Sequence, residues 1–185
     1  MSDSDGQATA VSIVVRIKRF GRAWYRVLFF CGRHVSLVTA PMRKQQFIHF
    51  CHWMILTSVP APDGGRTDLR RPVLWFESNY DGGDVVRYMD TFARIIPWRM
   101  RAAWTPTHRF PDMFPPEPFH QWTIDNAYTT DHYWSAYPDA TTRDVGRALR
   151  VLEAFERLPD ASGRITAKKF ERKWRSALAD VQLDL

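Results

Sequence analysis

Proline sets the limits of nearly every periodic segment in this chain, because it removes a backbone donor and cannot continue a helix beyond its first turn. Pro41 closes an apolar pattern of helical spacing, Pro97 stops a second, Pro138 ends an aromatic run and Pro159 ends another helix. Residues 106–116 hold enough proline to read as a long loop. With 185 residues, 45% apolar and 14% aromatic, the chain can bury a core of ordinary size and is too apolar for disorder beyond its ends.

Between those stops the local patterns predict the elements. From Ser12 to about Val38 the residues Ile13, Ile17, Phe20, Trp24, Val27, Leu28, Cys31, Val35 and Val38 recur at helical spacing, with Arg16, Arg19, Arg22, Arg26 and Arg33 on the other side. This predicts a basic amphipathic helix, broken near Gly32. Phe47–Thr57 is rich in aromatic and branched residues and reads as a buried strand. Residues 58–72 read as an exposed loop, and Val73–Asn79 as a second strand closed by Tyr80-Asp81-Gly82-Gly83. Asp81 or Asp84 can cap a helix striped by Val85, Tyr88, Met89, Phe92, Ile95 and Ile96. Arg99–Thr105 alternates, as a half-buried strand would. A short helix is expected from Glu117-Pro118 to about Asn126, a fourth strand at His132–Tyr137, a helix capped by Thr141 or Thr142, and a last helix from Thr166 to about Val181.

This order predicts an α+β fold: a ferredoxin-like, four-stranded, mainly antiparallel sheet covered by helices, preceded by the basic amphipathic helix. The expected organisation is a disordered tail over 1–9, the helical segment over 10–45 and a single α+β domain over 46–185.

The charge is unevenly placed. Residues 11–45 carry eight cations and no acid, and residues 1–10 carry only Asp3 and Asp5, so with a net charge of +6 the rest of the chain is neutral. Two cysteines, Cys31 and Cys51, suit neither a disulfide framework nor a zinc cluster, which points to a reducing, cytoplasmic setting. No basic n-region opens the chain, and charges interrupt residues 11–33 too often for a membrane span.

The stretches FIHFCHW (47–53), LWFESNYDG (74–82), IIPWRMRAAW (95–104), PEPF (116–119) and HYWSAYP (132–138) resemble a family of uncharacterised actinobacterial proteins with a ferredoxin-like fold. The resemblance covers roughly residues 12–157 and implies a basic, aromatic segment ahead of the first strand. It carries over no catalytic residue. A more distant similarity to dimeric α+β barrel proteins, some of which bind heme or oxidise small molecules, rests on fold alone.

The N-terminal segment is the strongest functional signal. Arg16, Lys18, Arg19, Arg22, Arg26 and Arg33 with Trp24, Phe29 and Phe30 suit a helix lying in the headgroup region of an anionic membrane, on the inner face. The plainer reading packs that helix on its own domain. Arg99 and Arg101, on one face of the expected strand beside Trp98 and Trp104, could hold a carboxylate or phosphate, although pairing with a neighbouring acid explains them as well. A small apolar or lipid-like ligand would meet His52, Trp75, Trp98, Trp104, His132 and Tyr133. No metal is expected: His49 and His52 point to opposite strand faces, and His49, Cys51 and Glu77 are better explained as core hydrogen bonding. His120 or His132 as a heme ligand belongs to the alternative reading, a small oxidoreductase or heme-dependent enzyme. A third reading is a homodimerising interaction module. Nucleic acid fits poorly, since the neutral remainder has no basic aromatic strand. Tyr80–Asp84 lacks a phosphate-loop fingerprint and reads as a turn and cap.

Overall fold

The structure, a computed structural model, describes residues 8–35, 47–128, 130–159 and 165–184. Val38, Pro41, Arg43 and Lys44 lie outside the described residues. The elements in chain order are β1 (Ala8–Arg16), α1 (Gly21–His34), β2 (Ile48–Pro60), β3 (Arg66–Asp81), α2 (Val85–Ile95), α3 (Pro97–Trp104), α4 (Pro116–Asn126), β4 (Ala127–Tyr128), α5 (Thr142–Glu156) and α6 (Ala167–Val181). They fall into two compact units, Met1–Asp139 and Ala140–Leu185.

The α+β class and the four-stranded antiparallel sheet are as expected, but two of the strands are not the expected ones. The order is β2-β3-β1-β4 with every neighbouring pair antiparallel. Residues 8–16, expected as tail and helix, form β1, which pairs with β3 from Ala8↔Asp81 to Arg16↔Val73 and with β4 through Ser12 and Ile13. The physical cause is local. Thr9, Val11, Ile13, Val14 and Val15 are branched at Cβ, which favours extended chain, and Val11, Ile13 and Val15 alternate into the core. The spacing of Ile13, Ile17, Phe20 and Trp24 imitates a helix only because it runs across a strand end into the start of α1.

β2 contains the expected 47–57 strand and extends it. Together with β3 it makes a long hairpin through what was expected to be a loop at 58–72, with Ser58↔Asp68, Val59↔Thr67 and Pro60↔Arg66 beyond a register shift. Gly64 takes φ 84° in the connecting turn, a conformation glycine adopts without steric cost.

One face of the sheet carries the core. Val11, Ile13 and Val15 of β1 and Leu74, Phe76 and Tyr80 of β3 pack with Tyr25 of α1, Tyr88, Met89 and Phe92 of α2, Met100 and Trp104 of α3, and Phe119 and Trp122 of α4. Asp84 caps α2 by accepting from the Val86 N–H at 2.9 Å, so Tyr80–Asp84 is a turn and cap as expected. Residues 99–104 are helical, not a strand. Pro97 occupies the first turn of α3, where its missing N–H costs nothing, and Met100 and Trp104, four apart, share the buried face. The expected strand at 132–137 is irregular chain with Trp134 and Tyr137 exposed. The fourth strand is instead the two-residue β4.

The second unit is a helical pair. Thr141 and Asp144 form a reciprocal capping box at the start of α5, Phe155 packs on Trp174 of α6 at 5.0 Å, and Arg150 holds Asp184 through two hydrogen bonds.

Candidate functional site

The packing of α1 defines the site. Gly21 opens the helix where a Cβ would meet Ile17 Cγ2 at 2.5 Å and the Pro106 carbonyl oxygen at 3.0 Å, so only glycine lets the chain approach this closely. The next turn reaches the C-terminal end of α3. Trp24 Nε1 donates to the Ala102 carbonyl at 2.7 Å, the Tyr25 hydroxyl to Ala103 at 2.6 Å and Lys18 Nζ to Thr105 at 2.8 Å. Carbonyls at a helix C-terminus lack partners within the helix, and a cation there also meets the negative end of the dipole. α1 is thereby fixed in rotation as well as position.

At about 100° per residue the fixed helix has three sectors. Gly21, Tyr25, Leu28, Phe29 and Gly32 face inward. Arg22, Arg26 and Arg33 form a basic stripe beside them. Phe20, just ahead of the helix, and Ala23, Trp24, Val27 and Phe30 form the third sector, which is apolar and turned to solvent: Phe20 is 81% exposed, Val27 61% and Phe30 64%. A helix that only covered a core would not carry this third sector.

Behind α1 lies a groove of about 410 Å³ between α1, α2, α3 and the helix-bearing face of β2 and β3. Leu28, Phe29, Trp53, Phe76, Met89 and Trp104 supply apolar walls, Gly32 borders it on α1, and Arg33 and Arg99 are the only Lys, Arg, Asp or Glu among the described residues of its lining. The Arg99 guanidinium stacks over the Trp98 ring at 4.1 Å. Cys51 lies in the wall, and burial pushes its thiol pKa up, so it stays neutral near pH 7. Trp104 is 1% exposed and its Nε1 has no acceptor among the described residues.

The structure divides the ligand residues expected from sequence. Trp98, Arg99 and Trp104 line the groove, and His52 lies on its rim. Strand alternation turns the His52 side chain to the other sheet face, where Nε2 stands 3.5 Å from Glu77. Trp75 is on that second face with its Nε1 unpartnered among the described residues, and Tyr133 accepts there from Asn79 Nδ2 at 2.6 Å. His132 is exposed in irregular chain. Arg101 does not share a face with Arg99, because consecutive odd positions diverge on a helix. It binds Asp112 at 2.9 and 3.2 Å, and this contact, helped by the Met113 N–H, holds the Asp112 carboxyl below the usual carboxylate range.

The expected membrane set also separates. Arg19, Arg22, Trp24, Arg26 and Phe30 are exposed on α1 or just before it, Phe29 turns inward to the groove, Arg33 sits at the groove, Lys18 caps α3, and Arg16 ends β1. Phe20 and Val27, counted by spacing with the buried stripe, are outside. Had the helix been started at Gly21 instead of Ser12, the three sectors would have been legible.

His49, Cys51 and Glu77 do not converge. His49 Nε2 lies 2.8 Å from Asp81 Oδ1 while Glu77 faces His52. Among the described residues no three His, Cys, Asp or Glu side chains gather in a metal-binding arrangement. His120 Nε2 is held by Asp90 Oδ1 at 2.8 Å. No described helix is long and apolar enough to cross a membrane. No known protein family, curated protein or solved structure matches the chain, and the family resemblance read from its sequence gains no support there.

Proposed function

We propose that this chain is a peripheral membrane protein whose helix α1 docks on an anionic lipid surface and whose first unit takes a small or lipid-like ligand in the groove behind that helix. The observation that carries the reading is the outer sector of α1, where exposed Phe20, Trp24, Val27 and Phe30 run beside Arg22, Arg26 and Arg33. Apolar side chains entering the headgroup boundary supply lasting attachment, and each cation near anionic lipid adds on the order of 1 kcal/mol. The succession β1-α1-β2-β3, helices, β4 with order β2-β3-β1-β4 supports reading the first unit as a ferredoxin-like domain.

Deleting the N-terminal segment is not a usable test, because it removes β1 from the middle of the sheet. The usable one is vesicle co-sedimentation of the whole chain. Anionic vesicles should carry it down, neutral vesicles should retain much less, and about 1 M salt, where the screening length falls to about 3 Å, should release most of it. Arg22→Glu with Arg26→Glu should abolish sedimentation while leaving the urea midpoint unchanged. Equal sedimentation of that variant and the native chain refutes the reading.

A further inference from the structure

We infer that the outer edge of β2 pairs with the same strand of a second copy of this chain, antiparallel and about a twofold axis at Trp53. The pairing requires neither a membrane nor the groove, and so goes beyond the proposed function.

In the order β2-β3-β1-β4 two strands have a free side. β4, with two residues, offers little to pair with. β2 has 13, and no described strand lies along its outer side, so its outward N–H and C=O groups form a template for another strand. Edges that stay single are blunted by lysine, by inward-pointing charge, by proline or by a bulge. β2 keeps such devices at its ends: register shifts between Ile48 and Phe50 and between Leu56 and Ser58, and Pro60 as its last residue. Between them Phe50–Leu56, FCHWMIL, pairs with β3 without interruption and holds no Lys, Arg, Asp, Glu, Pro or Gly. A regular, uncharged, apolar edge of this kind invites aggregation unless something covers it.

The strand itself selects the partner. The chain carries a net charge of +6, yet β2 contains none of the residues that carry it, so two copies meet here without like-charge repulsion and a charged segment finds no opposite charge. Facing residues of an antiparallel pair share a sheet face, and of the twofold-symmetric registers only the one centred on Trp53 uses the whole regular stretch from Phe50 to Leu56. It sets Phe50 opposite Leu56 and His52 opposite Met54 on the second sheet face, and Cys51 opposite Ile55 on the helix-bearing face. Phe50 is 50% exposed and Met54 40% in one copy, and in the pair each gains a cross-strand neighbour. A twofold contact closes at two copies, so the edge is removed and not merely passed along to the next chain.

The test uses the full chain without vesicles. Pairing along one strand edge is a small interface and suits a dissociation constant on the order of 10 µM, so sedimentation velocity from about 1 to 300 µM should show monomer converting to dimer. Met54→Lys and, separately, Phe50→Lys put a cation on the edge at half-exposed positions, where the lysine stem can cover the surface that the native side chain covers. Each should weaken dimerisation at least about tenfold, with the urea midpoint at about 1 µM protein unchanged. In a Cys31→Ser, Cys51→Ser background, position 52 faces position 54 of the other copy. A mixture of His52→Cys and Met54→Cys chains should therefore oxidise to the mixed disulfide at least about tenfold faster than a mixture of His52→Cys and Val59→Cys chains. A monomer throughout the concentration range, a dimer that survives both lysine variants, or cross-linking without preference for 52 with 54 overturns the inference.

Discussion

Replacing Tyr25 with Phe removes one hydroxyl and tests whether α1 is an integral wall of the first unit. Tyr25 is fully buried, and its hydroxyl donates to the Ala103 carbonyl at 2.6 Å. That carbonyl belongs to the last turn of α3 and has no partner within its own helix. The ring stays in place beside Phe29, so packing is nearly conserved and the loss is the hydrogen bond alone. An acceptor left unsatisfied in the interior costs about 1–3 kcal/mol. With Ala103 only half-buried, about 1–2 kcal/mol is expected. At a urea slope of roughly 2 kcal/mol per molar, the midpoint should fall by about 0.5–1 M with an unchanged slope. Trp24→Phe is the control: Trp24 is half exposed, water can replace its indole at Ala102, and the cost should stay below about 0.5 kcal/mol. A Tyr25→Phe protein as stable as the native chain would refute the docking of α1 on α3, and with it the placing of the outer sector.

Gly21→Ala should cost about 1–3 kcal/mol of stability even though alanine favours helix, because the new methyl would press into branched Ile17 and backbone at Pro106; a stabilised variant would show that the approach is loose. Asp112 should make stability fall in acid. Its folded pKa is depressed by Arg101, so its contribution is complete above the unfolded carboxylate value near about 4 and is lost as pH drops through the folded value. Asp112→Asn, which tolerates the same left-handed φ of 77°, should be less stable than the native chain at pH 7 by a difference that shrinks as the pH is lowered below about 4 in denaturant titrations. A constant difference across that range would show that the carboxylate's charge is not what stabilises the contact.

The elements that sequence reasoning located correctly are those with a single consistent signal. α2 has an Asp cap, a clear apolar stripe and Pro97 beyond it, and α5 has Thr141 with Asp144 at capping-box spacing. The errors arose where two periods coincide. Ile13 and Ile17 satisfy helical spacing and strand alternation together, and only the density of branched residues around them separates the two. Met100, Ala102 and Trp104 alternate, but Met100 and Trp104 are also one helical turn apart. The groove was half legible: its indoles and Arg99 stand out by residue type, whereas Gly32, Leu28 and Met89 acquire meaning only once α1 and α2 have been brought onto the same sheet face. Trp75, chemically equivalent to Trp98, is on the opposite face through strand alternation alone.

The direct test of membrane docking is the depth of α1 at a lipid surface. In a Cys31→Ser, Cys51→Ser chain, a nitroxide at an Ala23→Cys position would sit on the outer sector. On adding anionic vesicles, relaxation by dissolved oxygen should rise and relaxation by a water-soluble nickel complex should fall at position 23. Equal accessibility at position 23 with and without vesicles would contradict the account.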